Sequence, residues 1–222
     1  GDAAPVEARL AAAGLGLEAI LITHHHADHQ GGIEALAARW RPPVYAPANE
    51  SITGRTHPLA GGETISVLDQ AVEVRAVPGH TRGHLAFLAG KALFCGDTLF
   101  GAGCGRLFEG TPEQMAASLA QLATLPDDTL VYCAHEYTAL NLGFARAVEP
   151  GNVAIRARTE RVAALRAAGR ASVPSTLGDE KATNPFLRCA EPAVIAAARA
   201  HGAVDMSPVA VFAAIRAWRN VF

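Results

Sequence analysis

Apolar runs along this chain repeatedly end in polar residues. Ala19-Ile20-Leu21-Ile22 is bulky and β-branched enough for a buried strand, and Thr23-His24-His25-His26-Ala27-Asp28-His29 follows at once. Gln30-Gly31-Gly32 breaks the pattern, and Ile33, Leu36, Ala37 and Trp40 then recur at helical spacing. The polar cluster therefore falls on a strand-to-helix loop, where α/β folds place their sites. Ahead of it, Pro5 stands near the first position of a helix running to about Ala13. The sheet on which that helix packs requires earlier strands that the chain does not contain.

The same grammar recurs downstream. Val44-Tyr45-Ala46 reads as a short strand, and residues 48 to 62 have no period and read as a surface loop, with His57 a surface imidazole. Thr64 to Leu68 and Val72 to Val77 are strands broken at Asp69-Gln70-Ala71, and the second runs into Pro78-Gly79-His80-Thr81-Arg82-Gly83-His84. Leu85 to Leu88 and Lys91 to Cys95 form a hairpin about Ala89-Gly90, which releases Gly96-Asp97-Thr98. A glycine-rich stretch, 101 to 110, lacks both the Walker and Rossmann spacings, which argues against a phosphate cradle. Thr111-Pro112-Glu113-Gln114 is a capping box opening a helix with Met115, Leu119 and Leu122 inward. Thr129 to Cys133 is the next strand, ending in Ala134-His135-Glu136-Tyr137.

From about residue 138 strand signals stop. Asn152 begins a helix to about Ala168, ended by Gly169; a loop passes through Pro174 and Gly178; further helices run over Pro192 to Ala200 and from Ser207-Pro208 to the end. Two domains are expected, residues 1–137 and a helical domain over 138–222.

Composition narrows the function. Of 222 residues 50% are hydrophobic and 18% charged, which suits a globular protein with a real core. A formal net charge of −2 gives no global basic field toward nucleic acid or anionic membrane. No stretch approaches the roughly 20 apolar residues that span a bilayer. Cys95, Cys104, Cys133 and Cys189 lack CxxC spacing and read as free thiols in a reducing cytoplasm.

Four strand ends thus deliver His24, His26, Asp28 and His29, then His80, then Asp97, then His135. Residues two apart in an extended stretch share a side, so His24 and His26 can grip one ion together. A coordination-satisfying grouping puts His24, His26 and His80 on one ion and Asp28, His29 and His135 on a second, with Asp97 bridging. Two cations roughly 3.5 Å apart lower the pKa of a shared water toward neutrality and give a hydroxide nucleophile. Structural zinc prefers a closed, cysteine-rich tetrahedron, so this is a catalytic set. Such donors accept zinc first, with iron and manganese admissible. His84 reads as a support for the ligands and His25 as pointing away from them.

THHHADHQGG, PGHTRGH, FCGDTLF and CAHEYT resemble the metallo-β-lactamase superfamily. GCGRLFEGT, the ARAVEPGN segment, TNPFLR and RAWRNVF resemble, within it, the hydroxyacylglutathione hydrolases (glyoxalase II thioesterases). The resemblance covers nearly the whole chain. It implies an α/β (α+β) four-layer αββα sandwich, missing N-terminal strands here, followed by an all-helical domain. It implies hydrolysis of S-D-lactoylglutathione to D-lactate and glutathione by a metal-bridging hydroxide, in a monomer with two divalent ions and no nucleic-acid or membrane partner. Arg106 stands where the family places a binding lysine, and Phe108 where some members have a tyrosine, whose hydrogen bond phenylalanine cannot make. Tyr137 matches a binding tyrosine, and Arg216 and Arg219 a basic pair on the last helix. The competing readings are a mononuclear-iron persulfide dioxygenase of the same fold, or a metal-binding module without catalysis.

Overall fold

The computed structural model describes all 222 residues. By packing, the chain divides into two units, Gly1–Ala76 with Arg82–Gly90, and Val77–Thr81 with Lys91–Phe222.

In the first unit, strand alternation sorts side chains to two faces. Helix α1 (Ala4–Ala13) starts with Pro5 in its first turn and ends at Gly14 in the left-handed conformation. Strand β1 (Ile20–Leu21) leads through a one-turn helix α2 (Ala27–Gln30) into α3 (Ile33–Trp40). β1 pairs in parallel with β2 (Val44–Pro47), which pairs in parallel with β3 (His57–Leu59). Ile20, Ile22, Val44 and Ala46 bury one face under Ile33, Leu36 and Ala3. Leu21 and Tyr45, on the other face, pack against Leu59, Val72, Val74, Leu85 and Phe87. Those residues belong largely to the antiparallel meander β4 (Thr64–Val67), β5 (Gln70–Ala76) and β6 (Leu85–Ala89).

β3 corrects the reading of 48 to 62 as loop throughout. His-Pro-Leu is a three-residue strand whose proline has no N–H to donate, so it carries no pattern a sequence reader can use. His57 stays exposed but sits on this strand, its ring 4.7 Å from that of Tyr45. The β4–β5 turn also falls earlier than expected, at Leu68 and Asp69, both with positive φ as a type I′ hairpin requires.

The second unit opens with the His80 loop and β7 (Ala92–Gly96). A two-residue hairpin follows, β8 (Leu99–Phe100) against β9 (Gly103–Cys104). Helix α4 (Pro112–Ala123) carries the expected capping box, with Thr111 and Gln114 bonding reciprocally. β10 (Leu130–Cys133) lies parallel to β7. Then come α5 (Thr138–Val148), α6 (Val153–Ala167), β11 (Ser175–Thr176), α7 (Leu177–Thr183), a 3-10 turn at Pro185–Leu187, α8 (Pro192–Ala200) and α9 (Pro208–Val221).

Strand signals therefore do not stop at 138, because β11 pairs antiparallel with β10. The expected loop through Gly178 is instead α7, whose cap is Thr176 accepting from the Asp179 amide. Met115, Leu119, Leu122, Phe144, Phe186 and Phe212 make a core under these helices. A buried polar group sits among them: Glu180 pairs with Arg158, which also donates to Thr183 Oγ1 at 2.6 Å.

Candidate metal centre

In the first unit the strand end at Ile22 hands over to His24, fully buried, and to His26, still extended at φ −62° and ψ 145°. Nε2 of His24 and Nδ1 of His26 lie 3.0 Å apart, so two imidazoles offer nitrogens to one point. The chain then turns into α2, which carries Asp28 and His29; the His29 ring lies 4.0 Å from that of His24, and its Nε2 is 3.5 Å from Asp28 Oδ2. His84, fully buried, stacks on His24 with ring centres 4.7 Å apart. His25 turns to Glu50: its backbone N–H donates to Oε2 at 2.7 Å, and its Nδ1 lies 3.0 Å from the same oxygen.

Sequence reasoning missed Glu50. It is 8% exposed, and its Oε1 also accepts from the Gly83 amide at 2.9 Å. One carboxylate thus ties the His24–His29 loop to the Gly83–His84 turn. A single acid in an aperiodic loop gives no signal of such a role.

In the second unit three predicted ligands converge. Asp97 Oδ2 lies 3.4 Å from His80 Nε2, and Asp97 Oδ1 lies 3.6 Å from His135 Nε2. One carboxylate oxygen faces each imidazole, the disposition a bridging ligand needs. His80 Nδ1 donates to the Arg106 carbonyl at 2.8 Å, so that nitrogen carries the proton and Nε2 keeps its lone pair. Gly79 (φ 149°) lets the His80 loop pass close to α4, where a side chain would strike Met115.

Beside these ligands lies a cavity of about 360 Å³. His80, Asp97, Arg106, Phe108, Tyr137, Arg216 and Arg219, all singled out from sequence, line it, together with Phe100, Cys104 and Asn141, which were not. Phe108 stands edge-on to His80 with ring centres 5.3 Å apart, and Tyr137 stacks on His135 at 5.2 Å. Arg106 is exposed, its guanidinium 5.9 Å from the Phe108 ring centre. The cavity therefore joins imidazole and carboxylate ligands to three guanidiniums and an aromatic wall. Guanidiniums of this kind can pair with an acidic molecule, and a metal ion held at the ligand end would supply Lewis-acid chemistry.

The four cysteines are free thiols and none is needed as a ligand. Burial pushes Cys95 and Cys104 up, Cys133 to about 11 and Cys189 to about 12. No helix is long and apolar enough to cross a membrane.

Residues 1–135 match the family model of the metallo-beta-lactamase superfamily, and residues 136–222 that of the hydroxyacylglutathione hydrolase C-terminus. A hydroxyacylglutathione hydrolase of Dechloromonas aromatica (strain RCB) is 65% identical over 236 residues, spanning 100% of this chain and 89% of the relative. Among solved structures, ETHE1 from Myxococcus xanthus is similar at 29% identity and TM-score 0.64, over 84% of this chain and 71% of that one. TTHA1623 in a di-iron-bound form is similar at 28% identity and TM-score 0.58, over 82% and 84%. The fold class implied by the motifs is the one found, and this fold with its His/Asp groups indicates divalent-metal binding. The chain belongs to the hydroxyacylglutathione hydrolase family of the metallo-β-lactamase superfamily.

Proposed function

We propose that the chain is a metal-dependent thioesterase that hydrolyses S-D-lactoylglutathione to D-lactate and glutathione. The observation that carries this is the lining of the 360 Å³ cavity, where His80 and Asp97 share a wall with Arg106, Arg216 and Arg219.

His24, His26 and His80 would hold one ion and Asp28, His29 and His135 a second, with Asp97 shared by the two sets. The donor chemistry supports a metal site: every proposed ligand offers an imidazole nitrogen or a carboxylate oxygen, with no thiolate. A relative solved in a di-iron-bound form fits a two-ion site. Zinc is the ion the histidine-rich set suits first, iron and manganese being the alternatives. Divalent ions held there supply Lewis-acid activation of water and of a thioester carbonyl.

The protein's own groups do the rest. The hydrogen bond to the Arg106 carbonyl fixes the His80 tautomer and aims Nε2. Arginines on the cavity wall pair with the two carboxylates of glutathione. Phe108 and Tyr137 offer apolar surface beside the ligands. The leaving glutathione thiolate, with a free pKa of roughly 8.5, departs without a dedicated general acid. Residues 1–137 thus carry the metal ligands and 138–222 the basic helix that binds substrate. Four unpaired thiols suit a reducing cytoplasm.

The test is turnover of S-D-lactoylglutathione alongside metal content per chain. Chelator-sensitive turnover with about two ions per chain supports the reading; a single ion and no thioesterase activity refute it.

A further inference from the structure

The β8–β9 hairpin on the cavity wall is gripped by side chains from the C-terminal helices. Asn184 donates to the carbonyls of Phe100 and Gly103 at 3.3 and 2.9 Å. Glu180 accepts from the Ala102 amide at 2.8 Å, and Arg216 donates to the Cys104 carbonyl at 3.0 Å. Asn141, on α5 and 7% exposed, donates from Nδ2 to the Gly101 carbonyl at 3.0 Å.

Asn141 makes one bond more. Its Oδ1 accepts from Nη2 of Arg219 at 3.3 Å. The amide cannot flip: Oδ1 would then face a carbonyl oxygen and Nδ2 a guanidinium. The fit is tight, since a Cβ on Gly103 would stand 2.4 Å from Asn141 Nδ2.

The two arginines of α9 are not equivalent. Arg216 is 8% exposed, lies over Phe186, and commits Nη1 to the Cys104 carbonyl and Nη2 to Asn220 Oδ1 at 3.1 Å. Arg219 is half-buried over Phe144, and its hydrogen bond to Asn141 leaves further N–H groups for the cavity. Burial, then the neighbouring Arg216 guanidinium, pushes the Arg219 pKa down. An incoming anion relieves that repulsion.

We infer that Asn141 is the positioning residue that aims Arg219 at a substrate carboxylate, while Arg216 mainly holds the hairpin in place. This rests on the glutathione-thioester reading above. It makes discrimination for the acidic glutathione moiety depend on an uncharged amide.

The experiment compares Asn141→Ala, Asn141→Asp, Arg219→Ala and Asn141→Ala/Arg219→Ala on S-D-lactoylglutathione. The second substrate is S-D-lactoyl-N-acetylcysteamine, which lacks both glutathione carboxylates. Asn141→Ala and Arg219→Ala each raise KM for the glutathione thioester about ten-fold with kcat little changed, and the double variant is no worse than either. The same changes raise KM for the carboxylate-free thioester far less. Asn141→Asp keeps the side-chain shape and supplies a competing carboxylate, so it raises KM too, and it stands in should the alanine variant fold poorly. Additive losses, or equal losses on both substrates, overturn the inference. A wild-type protein that turns over neither substrate overturns the thioesterase reading instead.

Discussion

His80 Nδ1 and the carbonyl oxygen of Arg106 are 2.8 Å apart, and Phe108 N–H returns a bond to the His80 carbonyl at 3.2 Å. The orientation of the His80 imidazole, a proposed metal ligand, and the backbone of the cavity wall are thus one structure. Moving either one moves the other.

Gly105 sits at the centre of that coupling. A Cβ there would stand 1.9 Å from the Asp97 carbonyl oxygen and 3.1 Å from His80 Nδ1. Gly105→Ala is expected to cost about 1–3 kcal/mol in urea unfolding and to lower metal content with it. Gly143→Ala, in α5 with nothing within 4 Å of its Cβ, is the control and is expected to gain about 0.5–1 kcal/mol.

Asp97 faces two imidazoles with two oxygens. Asp97→Asn keeps the shape but removes the charge and one acceptor. Metal affinity, read by chelator competition, is expected to fall by more than roughly 100-fold, with kcat falling in parallel. Unchanged affinity removes Asp97 from the ligand set.

Glu180 is fully buried, pairs with Arg158, accepts from Ser175 Oγ at 2.6 Å and holds the Ala102 amide. Glu180→Ala strands a buried guanidinium and an amide, and is expected to cost about 3–5 kcal/mol by urea denaturation. Replacing both partners, as Glu180→Leu/Arg158→Met, is expected to cost less than Glu180→Ala, because no charge is left behind.

Cys189 is pushed by burial from its ordinary 9.0 to about 12. A folded pKa above the unfolded one means the native state holds its proton longer. The associated stability is therefore complete below about pH 9 and is lost as pH rises toward 12, by roughly 1.4 kcal/mol per unit. Cys189→Ala is expected to flatten urea-stability curves over pH 9–11, whatever it does to stability at pH 7. An equally steep decline in the variant contradicts the assignment.

The proposed metal ligands stood out in the sequence because strands advertise their ends: an apolar run that stops at His24, His80, Asp97 or His135 leaves that residue nowhere to go but the sheet edge. The capping box of α4 and the proline-started helices α8 and α9 were legible for a similar local reason. β3 and β11 were not, since strands of three and two residues are too short for an alternating pattern to register. α7 was hidden because Leu177–Thr183 is mostly polar, its Glu180 buried by a partner 22 residues away. Glu50 and Asn141 escaped for that reason as well: their roles come from contacts 25 to 78 residues distant. The basic pair on α9 was read as a unit, whereas Arg216 donates to the Cys104 carbonyl of the hairpin and Arg219 to the Asn141 side chain.

Hydrolysis of S-D-lactoylglutathione by purified protein, before and after chelation and again after metal is restored, tests the central claim most directly. The account predicts turnover that chelator abolishes and metal restores, while circular dichroism shows the chain folded throughout. Absence of turnover in a folded, metal-replete sample, or turnover indifferent to chelation at undetectable metal content, contradicts it.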